Sequence, residues 1–233
     1  MIISRDRYWK RVRKEEQDNN LFLIYLDDVC LKSNQGNNIK LSEKLADEIV
    51  REWSVDGKID VIKNSFFTRF SFSVTDITEK EKETVLARLV NYSECDPVCY
   101  IAGEPKKLLL KQKKLYCPII DWVEEFLSIN LNKASGLLHV EQPRLNSGKI
   151  RKYLEEFDNF HLMAIHELTK SLGSLFTCLA LYKNIVSPEV AWEIANVEDN
   201  FRIDVWGKVE EETLIKSLNH DHFKKLVKIL QLI

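Results

Sequence analysis

The chain has 233 residues, of which 45% are hydrophobic and 30% charged, a balance typical of folded soluble proteins and far from disordered or membrane classes. Its 34 basic and 36 acidic residues are interspersed and leave a net charge of -2, so no overall field draws it to nucleic acid or to an anionic membrane. The five cysteines are odd in number and scattered among apolar residues, which reads as reduced thiols rather than a disulfide framework.

The segment Met1 to Glu16 is basic, but it lacks the apolar core and small-residue cleavage site of an export signal. Leu21 to Leu26, the Asp27-Asp28 turn and Val29 to Leu31 read as a hairpin. Ser42 is placed to cap a helix whose Leu45, Ala46, Ile49, Val50 and Trp53 form one apolar stripe. Phe66 to Val74 fits either a helix, by Phe66 and Phe70, or a strand, by Phe70, Phe72 and Val74. Thr78 and Glu81 make a capping box, and the helix they start lines up Val85, Leu86, Leu89 and Val90. A short strand is expected within Val98 to Ala102.

After Pro105 the pattern is mainly helical. Lys106 to Tyr116 and Pro118 to Leu127 read as two successive helices, the second with proline in its first turn. An apolar run, Leu137 to Val140, interrupts the pattern. Asn159 to Tyr182 is apolar on most sides, through Leu162, Ile165, Leu168, Leu172, Leu175, Phe176 and Leu179, and reads as one central helix of a bundle. Ser187-Pro188-Glu189 is a helix start, with two further helices expected after Asn196. The fold class is therefore α+β: a small N-terminal domain of antiparallel strands and helices over residues 1–104, then a mainly α-helical domain over 105–233.

Catalytic signatures are hard to find. The chain has no phosphate-cradling glycine loop and only seven glycines in all. His166-Glu167 begins like a zinc-protease helix, yet Lys170 stands where the second histidine ligand belongs. His161 and His166 lie off a shared helical face, and His220 and His222 need a bend to meet. Cys95 and Cys99 have no base or cationic cluster nearby in sequence, so small buried residues are the simpler reading. The densest carboxylates are Glu198, Asp199, Asp204 and Glu210-Glu211-Glu212; such a run usually faces solvent, though paired acids can do acid/base work. Trp206-Gly207 sits between the two acidic groups. A bend presenting that tryptophan beside carboxylates suits a protein interface, and burial in a core suits it equally.

Several segments share a resemblance. Arg7-Tyr8-Trp9-Lys10, Tyr25-Leu26-Asp27-Asp28 with Leu31-Lys32, Glu52-Trp53, Phe67-Thr68-Arg69 and Tyr92 to Tyr100 fall in the order of one family's motifs. Gln112, Tyr116-Cys117-Pro118, Trp122, and His166-Glu167-Leu168 through Gly173-Ser174 continue the series, and Val197 to Gly207 resembles its acidic Trp-Gly signature. Together they span about Arg7 to Leu230. The chain resembles the assembly chaperones that hold the alpha subunit of the F-type ATP synthase head, the ATP-twelve type, as a divergent member. Asn34 stands at a family proline, Cys117 at an aspartate and Arg202 at a glutamine. The Phe67-Thr68-Arg69 match favours helix for the segment whose periodicity is ambiguous.

The resemblance implies a nucleotide-independent chaperone, not an enzyme, that shields the unassembled alpha subunit until the beta subunit joins. It implies no cofactor and no metal, a monomer, and a bacterial cytoplasmic location, or the mitochondrial matrix for a eukaryotic source. Client contact is expected at Glu198, Asp199, Arg202 and Trp206, while Trp53 is expected to pack the N-terminal domain. Two alternatives stand beside it: an enzyme using Cys99 or the Glu198, Asp199 and Glu210 carboxylates, and a general protein-interaction scaffold.

Overall fold

The computed structural model describes residues 4–6, 9–54, 58–60, 65–136, 139–207 and 210–233. Arg7 and Tyr8 of the opening motif, and Leu137 and Leu138 of the apolar run, lie outside the described residues. The chain divides into two compact units: Met1–Lys82 with Asn159–His161 and Lys228–Ile233, and Glu83–Asp158 with Leu162–Val227.

In the first unit, strands β2 (Val12–Glu16), β3 (Phe22–Leu26) and β4 (Val29–Cys30) form an antiparallel sheet in that order, while β1 (Ser4–Asp6) pairs antiparallel with β5 (Lys58–Asp60). The expected hairpin is present, with Leu26 opposite Val29. Asp27 takes a left-handed φ of 53° in its turn, a conformation that short polar side chains tolerate. Its carboxylate accepts the amides of Arg11 at 2.8 Å and Lys10 at 3.0 Å, and these bonds, that to Arg11 foremost, hold its pKa below the usual value.

Helix α1 (Glu43–Trp53) begins at Ser42, whose hydroxyl accepts the Leu45 amide at 3.2 Å. It packs its Leu45, Ala46 and Ile49 stripe against β2 and β3. Helix α2 (Phe66–Thr75) resolves the ambiguous segment. Phe67, Phe70, Ser71 and Val74 are buried at helical spacing, so the apolar stripe follows a period of 3.6 and not the strand alternation. Both oxygens of Glu52 receive the free amides of this helix's first turn, Phe67 N–H at 2.7 Å and Thr68 N–H at 2.9 Å. Trp53 packs on Trp9, with ring centroids 5.0 Å apart, and donates its indole N–H to Thr68 Oγ1 at 2.9 Å. The Trp9 indole in turn donates to the Trp53 carbonyl at 3.1 Å. The Glu-Trp pair thus ties α1, α2 and the N-terminal segment together. The final residues join this unit through Lys228, whose Nζ lies 2.7 Å from Glu48 Oε2, and through the Leu232 carbonyl, which accepts the Ser42 hydroxyl.

Helix α3 (Glu79–Glu94) starts with the expected box: Thr78 Oγ1 accepts the Glu81 amide at 3.3 Å, and Glu81 accepts the Thr78 amide at 2.8 Å. A single 3-10 turn, Pro97–Cys99, leads to β6 (Tyr100–Ile101), which pairs in parallel with β7 (Ala134–Ser135). The next helix corrects the sequence reading. Instead of two helices meeting at Pro118, α4 runs unbroken from Lys106 to Phe126. Buried Leu108, Gln112, Tyr116, Ile119, Ile120 and Val123 continue one stripe across the proline, and packing of that stripe outweighs the lost hydrogen bond of the proline nitrogen.

The opposite correction applies further on. The single helix expected over Asn159 to Tyr182 is two, α6 (Asn159–Leu172) and α7 (Leu175–Tyr182). Gly173 adopts φ 70°, and Ser174 then caps α7 by accepting the Thr177 amide at 3.0 Å. Between α4 and α6 lies α5 (Arg144–Glu155). Helix α7 is the centre of the second unit, with Leu175, Phe176, Cys178, Leu179 and Ala180 fully buried and its neighbours α4 and α8 (Pro188–Ala195) against it. Trp122, Phe126, Tyr153, Phe157 and Tyr182 form a ring ladder beside it, with successive centroids 4.9 to 5.3 Å apart. Helices α9 (Val197–Trp206) and α10 (Glu210–Leu232) complete the chain.

Candidate functional site

The residues singled out around Trp206 lie on α9 and the first turns of α10, both within the second unit over this stretch. Helix α8 fixes their base. Ser187 accepts the Val190 amide at 3.3 Å and Pro188 occupies the first helical position, so the helix starts as its sequence dictates. Trp192 then stacks on His220, with centroids 4.8 Å apart, and on Phe223 at 5.2 Å, anchoring α10. Asn196 bridges α8 and α9. At the far end Gly207 closes α9 with φ 89° and ψ 175°, a backbone state essentially confined to glycine.

The four expected residues separate into distinct roles. Arg202 Nη2 lies 2.8 Å from Glu212 Oε2 and 3.6 Å from Asp199 Oδ1, so Arg202 and Asp199 share one charged cluster that joins α9 to α10. Lys216 Nζ adds a bond to Asn200 Oδ1 at 2.5 Å. Glu198 is directed elsewhere: its Oε1 accepts Gln112 Nε2 at 2.9 Å, and Gln112, fully buried, accepts the Ala102 amide at 2.7 Å. Burial, and after it the charge of Glu198, pushes the Tyr116 hydroxyl pKa up. Trp206 is 77% exposed, which decides its sequence ambiguity in favour of the surface.

An apolar group that sequence inspection did not single out accompanies it. Val205, Leu214, Ile215 and Leu218 are all exposed, so five of the ten exposed large apolar side chains among the described residues fall between Val205 and Leu218. Their signal was available as the i, i+4 pair Leu214 and Leu218 on α10, but the same spacing describes a core stripe. Ile215 of this group also lines a groove of about 840 Å³, together with Trp192, Asp199, Arg202, Ile203, Glu212 and Lys216 among others.

The other chemical candidates are placed unfavourably for catalysis. Cys99 is buried and its thiol is pushed up to about 12, chiefly by burial, the reverse of an activated nucleophile. His166 is buried with Nδ1 3.1 Å from Glu167. Among the described residues no three histidine, cysteine, aspartate or glutamate side chains are grouped to hold a metal ion, and no helix is long and apolar enough to cross a membrane.

A family model described as the ATP12 chaperone protein matches residues 6–124, just over half the chain. The chain belongs to the ATP12 chaperone family. The mitochondrial protein atp12 of Schizosaccharomyces pombe is 23% identical over 218 residues, covering 88% of this chain and 75% of the relative. The crystal structure of Atp12 from Paracoccus denitrificans is 25% identical, covers 97% of each chain and superimposes with a TM-score of 0.89. The Atu1473 protein of Agrobacterium tumefaciens, 23% identical with a TM-score of 0.87 over 97% of this chain and 85% of that one, shares the fold. The ATP12 fold accounts for the mixed first unit and helical second unit. As a member of a chaperone family, the protein acts by binding and not by catalysis.

Proposed function

We propose that this ATP12 chaperone serves assembly of the F-type ATP synthase head: it binds the unassembled alpha subunit and covers its interface until the beta subunit takes that place. Client contact is assigned to the end of α9 and the start of α10, with Trp206 as anchor and Glu198, Asp199 and Arg202 on the adjoining polar surface. The observation that carries this reading is the exposed apolar strip of Val205, Trp206, Leu214, Ile215 and Leu218. Clustered apolar exposure of this kind marks interaction surfaces, and tryptophan is the commonest type of interface anchor. Ile215 lines the same groove as Asp199, Arg202 and Glu212, whose ion pairs supply a polar rim to set register.

Such a holder needs no nucleotide, because binding the folded client shifts it away from unfolded and aggregating states by mass action. The proposal is tested by light scattering of isolated alpha subunit with and without the chaperone. Protection that is strong with the natural chain and lost in Trp206→Asp/Leu218→Asp, at unchanged melting temperature, is the expected result. Full protection by that double variant would remove the strip from the client surface.

A further inference from the structure

A second concavity, which shares no lining residue with the groove along α9 and α10, lies on the face that α3 and α6 build in the second unit. It holds about 590 Å³ and is lined by Arg88, Asn91, Tyr92, Cys95, His166 and Lys170, with Gly173 at one edge. That volume lies within the range of small-molecule sites. Arg88, Asn91, Tyr92 and Cys95 recur at the three- and four-residue spacing of one helical face, and His166 and Lys170 are one turn apart on the other helix.

The charge of this lining is one-sided. No carboxylate lines it. Of the acids that flank lining residues in sequence, Glu94 accepts the Ser147 hydroxyl at 3.3 Å, and Glu167 is ionised, with a pKa lowered to about 2 chiefly by the hydrogen bond from His166. That carboxylate is already engaged by His166 Nδ1 at 3.1 Å and Lys170 Nζ at 2.9 Å. Asp96, adjacent to Cys95, turns into the core to accept Ser174 Oγ–H at 2.7 Å and the Phe176 amide at 3.0 Å. Arg88 has no ion pair among the described residues and contributes an uncompensated guanidinium, whose fork suits carboxylate and phosphate oxygens. Tyr92 and Asn91 add neutral hydrogen-bonding groups, and His166, only 4% exposed, presents part of a buried ring to the cavity.

We infer that the Arg88, Tyr92 and His166 cavity is a binding site for a small organic anion bearing carboxylate or phosphate oxygens, distinct from the client surface. Arg88 supplies the charge-assisted hydrogen bonds and Tyr92 gives an aromatic wall for the body of the ligand, while the charge of Lys170 is taken up by Glu167.

Cys95, exposed in the same wall, provides a built-in reporter. Its Sγ lies 3.9 Å from His139 Nδ1; any influence of that imidazole on thiol reactivity acts equally on two alkylating reagents of different charge, and any charge it carries is told apart from that of Arg88 by comparison with Arg88→Ala. The ratio of Cys95 alkylation by iodoacetate to that by iodoacetamide, read on the Cys95 peptide by mass spectrometry, therefore measures the field in the cavity. One uncompensated cation on the order of 10 Å away, the rise of the two helical turns between Arg88 and Cys95, in a water-like dielectric raises this ratio about twofold over the same chain unfolded in urea. Arg88→Ala is expected to return it close to the unfolded value. Potassium citrate, and separately inorganic phosphate, each added against potassium chloride at equal ionic strength, tells which oxyanion class the site takes through saturable protection of Cys95 from iodoacetamide. Protection by at least one of them, lost in Arg88→Ala, is expected alongside the raised ratio. A ratio equal to that of the unfolded chain, or protection by neither anion beyond that of potassium chloride, would overturn the assignment. Neither result depends on client binding.

Discussion

Asp96 is wholly buried where α3 gives way to the turn before β6, and three donors point at its carboxylate: Ser174 Oγ–H at 2.7 Å, Phe176 N–H at 3.0 Å and Val98 N–H at 3.3 Å. Burial raises its pKa from 3.8 to about 6, and the hydrogen bonds, that of Phe176 foremost, offset only part of the effect. The folded state thus holds a proton that the unfolded chain releases at lower pH. Stability from this group is fully present below the unfolded value of 3.8 and is lost as pH rises through about 6. The displacement corresponds to roughly 3 kcal/mol, of which about 2 kcal/mol is lost between about pH 4.5 and about pH 7.5. Asp96→Asn removes the titration and leaves the rest of the chain's ionisation in place. Urea unfolding of both proteins across that range should show the natural chain losing about 2 kcal/mol relative to the variant as pH rises. A stability difference that stays constant with pH would refute the reasoning.

Trp53→Asp should lower stability by about 3 to 5 kcal/mol, because it puts a charge against Trp9 and removes the indole bond to Thr68; calorimetric melting at an unchanged temperature would contradict this. Glu198→Ala should cost about 1 to 3 kcal/mol by leaving the buried Gln112 amide without its acceptor. Glu198→Gln, which keeps an acceptor oxygen, should melt close to the natural chain and is the variant with which to weigh Glu198 in client binding. Gly207→Ala should cost about 1 to 3 kcal/mol from backbone strain at φ 89°, since an added Cβ meets no atom within 4 Å; urea unfolding reads it directly.

Local signals carried a large part of the architecture. The Asp27-Asp28 hairpin, the Ser42 cap, the Thr78–Glu81 box and the Ser187-Pro188 start are each decided by a few neighbouring residues, and each is present. The errors came where long-range packing or one backbone angle decides. Pro118 reads as a helix start, but a buried stripe on both sides of it continues the helix. Asn159 to Tyr182 reads as one helix because the sequence is apolar throughout, whereas Gly173 turns the chain and Ser174 begins a second helix.

The candidate site was legible as a position more than as a surface. Trp206-Gly207 among acids marked the bend, yet periodicity alone leaves a tryptophan free to face core or solvent. Its 77% exposure emerges only from how α9 and α10 are set by Trp192, His220 and Phe223. Glu198 and Asp199 are adjacent in sequence but a helix turns them apart, one towards Gln112 and the other towards Arg202. At Arg202, where the family motif carries glutamine, the departure gains a pair of acidic partners, Asp199 and Glu212. Cys117, the second departure, is half-buried within α4, and Asn34 lies in the exposed loop after β4.

The most direct test of the account is calorimetric titration of the purified chaperone with isolated ATP synthase alpha and beta subunits, repeated with Trp206→Ala. Saturable binding to alpha alone, weakened at least tenfold by Trp206→Ala as expected for an interface anchor, is the predicted result. Absence of binding to folded alpha subunit, or equal binding to both subunits, would contradict it.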